Sequence, residues 1–247
     1  MKILGVIPAR YASTRFPAKP LADIAGKSMI QRVYEQALKS TKINKVIIAT
    51  DDKRIFDHVN FFKGSVCMTS PDHVSGTDRC FEALGSQPEK YDYVINIQGD
   101  EPFISPNQVD LLAGLLDGNT ELATLAKKIT EQDSLFNPNI VKLVRNQNNE
   151  ALYFSRSTIP HIRNTPERDW LSKHTFFKHI GMYAYRSDIL KKITGLKVSS
   201  LEKAESLEQL RWLENGFKVK VAETDEETIG IDTPEDLEKA IAFLRNK

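Results

Sequence analysis

Val46-Ile47-Ile48-Ala49-Thr50-Asp51-Asp52-Lys53-Arg54-Ile55-Phe56-Asp57-His58-Val59-Asn60-Phe61-Phe62 changes its period in the middle. The first five residues make a continuous run with almost no polar position, the pattern of a strand covered on both faces. From Asp52 onward the apolar residues Ile55, Val59 and Phe62 fall three and four apart, which predicts a helix over 52–62. A doubly covered strand that feeds directly into a helix is half of a crossover unit, and crossover units build parallel sheets.

The same alternation extends on both sides. Leu4 to Ile7, Ser65 to Thr69 and Tyr93 to Ile97 read as further strands. Ser28 to Ser40 reads as a helix with Met29, Ile30, Val33, Ala37 and Leu38 on one face, and Thr77 to Leu84 as another. Pro106 to Leu116 is a helix opened by proline. The expected fold class is α/β: a Rossmann-like mixed, mainly parallel sheet flanked by helices. Beyond about residue 120 the pattern loosens. Leu122 to Ile129, Ile140 to Val144 and Phe177 to Tyr185 read as strands without clear helices between them. Residues 160–175 read as a polar, irregular loop or dimer arm. A helix over 200–214 with Leu201, Ala204, Leu207 and Leu210 inward, a strand at Phe217 to Val221 and a helix from Pro234 to Leu244 close the chain. The expected organisation is one domain over 1–247, with a distinct subregion at about 150–200.

Bulk properties narrow the function. With 34 Lys and Arg against 33 Asp and Glu the net charge is +1, so no overall field draws in nucleic acid or an anionic membrane, and any anionic ligand needs a local cationic cluster. The apolar run at the N-terminus is too short for a signal-peptide core, and no run approaches a membrane span. A soluble cytoplasmic protein is expected. Cys67 and Cys80 are the two cysteines; they lie among apolar neighbours and read as buried, reduced thiols.

In open α/β sheets ligands bind beyond the carboxyl ends of the strands, so the loops that follow the strands hold the candidates. Pro8-Ala9-Arg10-Tyr11-Ala12-Ser13-Thr14-Arg15-Phe16-Pro17-Ala18-Lys19-Pro20 occupies the place of a dinucleotide glycine loop and contains no glycine. Three cations and two hydroxyls stand there instead, able to grip phosphate with guanidinium forks and an ammonium. Gly26-Lys27-Ser28 ends like a P-loop, but Leu21 stands where that pattern needs glycine; a turn at Gly26 and a helix cap at Ser28 explain it. In Asp51-Asp52, Asp51 reads as a cap of the following helix or as a ligand. His73 to Arg79 allows close backbone approach and offers the planar donors of Arg79, while Ser75 or Thr77 equally suits a cap. Gln98-Gly99-Asp100-Glu101-Pro102 puts a carboxylate at the sheet mouth, suited to Mg²⁺ or to a simple turn. In Gly230-Ile231-Asp232-Thr233-Pro234-Glu235-Asp236, Thr233 and Pro234 account for the helix start. Asp232 is left available as a second metal carboxylate.

Taken in order, these segments, with Tyr153-Phe154-Ser155-Arg156, Lys178 to Arg186 and Leu207-Glu208-Gln209-Leu210-Arg211, resemble the 3-deoxy-manno-octulosonate (Kdo) cytidylyltransferases from residue 5 to about 240. The resemblance implies transfer of CMP from CTP to Kdo with release of pyrophosphate, for lipopolysaccharide synthesis, by a Mg²⁺-dependent homodimer. It implies that Arg10, Ser13, Arg15 and Lys19 hold the triphosphate, with Pro8 and Ser75 beside CTP. Arg79 and Gln98 would line the cytidine and sugar side. Asp100 and Asp232 would bind Mg²⁺, and Arg15, Lys19 and both aspartates would be catalytic. Gln98, Arg156, His179, Tyr183, Glu208 and Gln209 would meet the sugar acid. A dimer contact within 150–185 is expected to use Trp170, Phe176 and Phe177 as exposed aromatics. The alternatives are a related sugar acid as acceptor, amino-substituted Kdo or a sialic acid, or a nucleotide-sugar-dependent glycosyltransferase. The last usually carries Asp-x-Asp, which this sequence lacks.

Overall fold

The structure, a computed structural model, describes residues 1–12, 16–228 and 230–245, apart from the side chains at 243 and 245. The chain forms two compact units, 1–114 with 228–247, and 115–227. The second unit is therefore wider than the 150–200 subregion expected from sequence, because the strands that open and close it lie outside that span.

The first unit contains β1 (Ile3–Ala9), a small hairpin of β2 (Asp23–Ile24) and β3 (Lys27–Ser28), β4 (Lys45–Thr50), β5 (Val66–Met68) and β6 (Tyr93–Asn96). Its helices are α1 (Met29–Ala37), α2 (Lys53–Phe61), α3 (Gly76–Gly85) and α4 (Pro106–Ala113), with Pro234–Arg245 as the closing helix. The main strands run parallel in the order β6-β1-β4-β5. The chain moves outward from β1 to β5 and then returns to β1's other side for β6. The order thus reverses at β1, and the loops after β1 and β6 flank the crevice where such sheets take ligands. Leu4, Val6, Ile7, Ile48, Val94 and Ile95 have no exposed surface, as expected of strands covered on both faces.

Each helix starts where a side chain satisfies its first amides. Ser28 accepts from the Gln31 amide, Asp52 from Arg54, Ser75 from Asp78 and Ser105 from Asn107. Ser28 is thus a cap, as the sequence suggested, and Gly26 sits in the hairpin turn at φ +83°. The cap before α2 is Asp52 and not Asp51, because the Asp51 carboxylate is taken by the Arg79 guanidinium at 2.8 Å.

The second unit contains β7 (Leu122–Lys128), β8 (Lys142–Arg145), β9 (Ala151–Ser155), β10 (Phe177–Arg186) and β11 (Val219–Glu223), with helices α5 (Gln132–Phe136), α6 (Trp170–Lys173), α7 (Ser187–Thr194), α8 (Ser200–Glu205) and α9 (Gln209–Glu214). β11 runs parallel to β7; β10 is antiparallel to β7 and β8, and β8 to β9. The expected helix over 200–214 is two helices. Ser206 adopts φ 53° after α8, which turns the chain, so Leu201 and Ala204 are exposed while Leu207 and Leu210 remain buried. The 160–175 segment is anchored rather than loose. The Trp170 indole stacks on Phe176 at 6.1 Å, lies 5.6 Å from Phe136 and donates to the Thr165 carbonyl. Trp170 and Phe176 are accordingly buried core, not exposed dimer aromatics, and Phe177 is half-buried under the Arg145 guanidinium. Of the cysteines, Cys80 is buried and Cys67 only half-buried, and both are free thiols.

Candidate functional site

In the first unit three of the candidate residues converge. The Lys19 ammonium donates to Asp100 Oδ2 at 2.8 Å, to Asp232 Oδ1 at 3.2 Å and to the Ile231 carbonyl at 2.9 Å. Lys19 follows β1, Asp100 follows β6, and Asp232 precedes the closing helix. The last two segments are stitched together by the Ile231 amide on the Asp100 carbonyl at 2.9 Å. The Lys19 side chain is 14% exposed against 34% and 49% for the two carboxylates. The cluster is an open acidic mouth with an ammonium at its base.

Gly99 makes this approach possible. A Cβ at Gly99 would lie 2.7 Å from the Pro8 carbonyl oxygen, so the loops after β1 and β6 come together only where residue 99 has no side chain. Gly99→Ala is expected to push Asp100 away from Lys19. It should lower turnover by about a hundredfold, the order that follows a 1 Å displacement of catalytic groups, with thermal stability only modestly reduced. Kinetics and a melting curve on the same preparation check this. Full activity would show that the close approach does not hold the site together.

Beside the cluster, the half-buried Glu101 carboxyl accepts from Thr228 Oγ1 at 2.7 Å. Burial pushes its pKa up to about 7, against the Thr228 hydrogen bond and with help from the neighbouring Asp100 charge.

Arg79 requires a correction. Its guanidinium is 1% exposed, donating to Asp51 Oδ2 at 2.8 Å and to the Thr69 hydroxyl. It ties the ends of β4 and β5 to α3 from inside and does not present its donors to a ligand. Asp51 is its counter-ion, which explains why that carboxylate does not cap α2. Ser75 also acts locally, as the α3 cap, with its hydroxyl donating to Asp78 Oδ2 at 2.9 Å. Arg10 is exposed, and Pro8 and Gln98 are partly exposed beside the crevice. Ser13 and Arg15 lie outside the described residues. Sequence reasoning missed Arg54, whose guanidinium lies 3.3 Å from the centre of the Tyr11 ring and is held by Asp52; this cation–π contact fixes the first loop against α2. Nothing in the 52–62 helix pattern marked it.

In the second unit His179 and Tyr183 meet on β10, with ring centres 5.1 Å apart. The register against β7 shifts between Ile180 and Tyr183, a bulge of the kind that re-aims side chains. Thr124, also missed from sequence, fills it: its hydroxyl lies 2.8 Å from the Met182 carbonyl, 3.2 Å from the Ile180 carbonyl and 3.0 Å from His179 Nε2. The single hydroxyl hydrogen goes to a carbonyl, so His179 Nε2 must donate and Nδ1 carries the lone pair. Desolvation pushes the imidazole pKa down to about 3. His179 is therefore neutral and offers an acceptor. The Tyr183 hydroxyl is buried with no hydrogen-bond partner among the described residues. Desolvation raises its pKa, with Tyr185 and Glu208 adding to the effect, so it stays a phenol and a donor.

Gln209 is buried, and Glu208 pairs with Arg211 at 3.0 Å; neither lies on a simple solvated helix face. Arg156 is half-exposed. Its Nε donates to the Glu205 carbonyl at 2.7 Å, with longer bonds from Nη1 to Pro138 O at 3.3 Å and from Nη2 to Ser206 O at 3.4 Å.

The Lys19 cluster also bears on Mg²⁺. Among the described residues no group of three or more His, Cys, Asp or Glu is arranged to hold a metal ion. Two carboxylates whose oxygens reach one ammonium do, however, converge on one cation position. Mg²⁺ typically takes one or two protein carboxylates and completes its shell with water and substrate phosphate. Asp100 and Asp232 fit that requirement.

The chain resembles known cytidylyltransferases along nearly its whole length. A sequence profile described as cytidylyltransferase matches residues 4–229. The chain is 60% identical over its full length to the whole of a 3-deoxy-manno-octulosonate cytidylyltransferase of Parabacteroides distasonis, and 57% identical, again over the full length of both, to that of Bacteroides thetaiotaomicron. Among solved structures, a CMP:2-keto-3-deoxy-manno-octonic acid synthetase complexed with CTP is 44% identical, superimposes with a TM-score of 0.92, and is matched over 100% of this chain and 99% of its own. A cytidylyltransferase of Leptospira borgpetersenii, at 17% identity and a TM-score of 0.65, shares the fold. On these full-length matches the chain belongs to the 3-deoxy-manno-octulosonate cytidylyltransferase family.

Proposed function

We propose that this protein couples CTP to 3-deoxy-D-manno-octulosonate, giving CMP-Kdo and pyrophosphate for lipopolysaccharide synthesis. The observation that carries the reading is the pair of carboxylates, Asp100 and Asp232, drawn from two separate loops onto the Lys19 ammonium. A binding module has no need of that pair at the mouth of the sheet.

The anomeric hydroxyl of the sugar acid attacks the α-phosphorus of CTP and the bond to the bridging oxygen of pyrophosphate breaks. Reactions of this type draw most of their acceleration from positioning and electrostatics. An anionic acceptor must approach a polyanion, so each substrate needs its own cations. Lys19, with Arg10 and Arg15 from the same loop, holds the triphosphate and stabilises the leaving pyrophosphate. Ser13 adds a hydroxyl there, and Pro8, Gln98 and the loop at Ser75 border the nucleotide. Asp100 and Asp232 would hold Mg²⁺, which when bound offsets phosphate charge and acidifies the attacking hydroxyl. In the second unit Arg156 meets the sugar carboxylate, Tyr183 donates, His179 accepts through Nδ1, and Glu208 and Gln209 bond sugar hydroxyls.

Pyrophosphate release measured with CTP, UTP, ATP and GTP, each with and without Kdo, tests the assignment. Rapid release with CTP and Kdo together is expected. Equal rates with all four nucleotides, or release independent of Kdo, would overturn it.

The protein works in the cytoplasm as a homodimer. Among the described residues no helix is long and apolar enough to cross a membrane. In the second unit β9 pairs as a strand with β8 among the described residues, and its Leu152 is 58% exposed; an edge strand of this kind can take a strand of a second copy. Sedimentation velocity at micromolar concentration should give twice the 28.0 kDa chain mass, whereas a stable single-chain species would refute the dimer.

A further inference from the structure

Lys142 has no exposed surface. It lies on β8, opposite Ser155 of β9 and Lys178 of β10. Its ammonium donates to three backbone carbonyls: Asn137 at 2.9 Å, Ile140 at 2.7 Å and Arg156 at 2.6 Å. Lysines are almost never fully buried, and desolvation here lowers the pKa, with the Glu205 carboxylate opposing that shift. An apolar side chain would fill the same space without the desolvation cost. What it could not do is join three carbonyls from two separate segments.

Both segments lead to one side chain. Asn137 and Ile140 bracket the turn whose Pro138 carbonyl receives Arg156 Nη1, and the third carbonyl is that of Arg156 itself. Glu205 works from the other side, accepting from the Arg156 amide at 2.9 Å and from Ser155 Oγ at 2.6 Å. The Nη bonds of the Arg156 fork are long, at 3.3 and 3.4 Å, so they steer it weakly. The aim of the guanidinium is set by where its backbone and the 137–140 turn are held.

We propose that Lys142 is a positioning residue for the sugar-acid end of the reaction: its ammonium clamps the 137–140 turn to the Arg156 backbone and so aims the Arg156 guanidinium. This rests on the reading that Arg156 meets the sugar acid.

In the full-length enzyme, Lys142→Met is expected to lower kcat/KM for Kdo by about 10- to 100-fold, the range that follows a small misplacement of a binding group. The CTP dissociation constant measured by calorimetry should not change. A purely structural lysine would instead lower the melting temperature and leave the ratio of Kdo to CTP effects as in the parent. The double variant with Arg156→Ala should lose little more than Arg156→Ala alone, because both act through one guanidinium; additive losses would overturn the proposal.

If Lys142→Met does not fold, Pro138→Gly at the exposed turn gives the same readout. Unchanged Kdo parameters in that variant would overturn the proposal. Two failures are distinguishable. If Arg156→Ala impairs Kdo use and folded Lys142→Met does not, the positioning role alone falls. If Arg156→Ala leaves Kdo use intact, the sugar reading of Arg156 falls and the role of Lys142 with it.

Discussion

Asp100→Asn and Asp232→Asn should each lower magnesium-dependent pyrophosphate release by about a hundred- to a thousandfold, the order seen when one preorganised electrostatic group is removed from a reacting centre. Both carboxylates sit at the mouth of the parallel sheet, and both reach the Lys19 ammonium. Each substitution keeps the shape and removes one charge from the proposed Mg²⁺ position. Lys19 keeps its bond to the Ile231 carbonyl in either variant, and the segments stay joined through the Ile231 amide, so circular dichroism should match the parent. Raising the Mg²⁺ concentration should restore part of the loss, because a weakened site still fills by mass action. Near-normal turnover in either variant at low Mg²⁺ would remove that residue from the metal site.

Arg156→Ala is the second large effect. The sugar acid carries a carboxylate next to the attacking carbon, and Arg156 is the half-exposed cation proposed for it. Loss of one member of a desolvated charged pair costs on the order of 2–5 kcal/mol. By transition-state arithmetic that is roughly a thirty- to several-thousandfold fall in kcat/KM for Kdo. CTP affinity by calorimetry should hold, since no nucleotide-binding role is assigned to Arg156. Equal losses in both would place Arg156 in the nucleotide site or the scaffold. Its bonds to the Glu205, Pro138 and Ser206 carbonyls make a scaffold contribution measurable as a lower melting temperature, separate from the Kdo parameters.

The parallel half of the fold was legible because its signals are local. Strands buried on both faces appear as unbroken apolar runs, and the helices after them start at Ser28, Asp52, Ser75 and Ser105, short polar residues placed to cap. The same locality made the loops after β1 and β6 stand out, and there Lys19, Asp100 and Asp232 do come together. What sequence did not show depends on contacts distant along the chain. Arg79 and Asp51 looked like loop groups available to a ligand, yet they pair with each other across 28 residues. Trp170 and Phe176 lie in a polar stretch that reads as exposed, but Phe136 and Ile129 supply the apolar partners that bury them. The helix pattern over 200–214 is continuous in period, and only the left-handed backbone at Ser206 breaks it. Thr124 reads as an ordinary strand residue; its role follows from the bulge opposite, which places two carbonyls and a histidine around its hydroxyl.

In the reaction a cytidylyl group, carrying one phosphorus, passes from CTP to the anomeric oxygen of Kdo. Phosphorus NMR of the complete reaction with CTP, Kdo and Mg²⁺ tests it most directly. A single new phosphodiester resonance is expected, appearing together with pyrophosphate in equal amount, and no such product when Kdo is left out. A product retaining two linked phosphorus atoms, or orthophosphate in place of pyrophosphate, would contradict it.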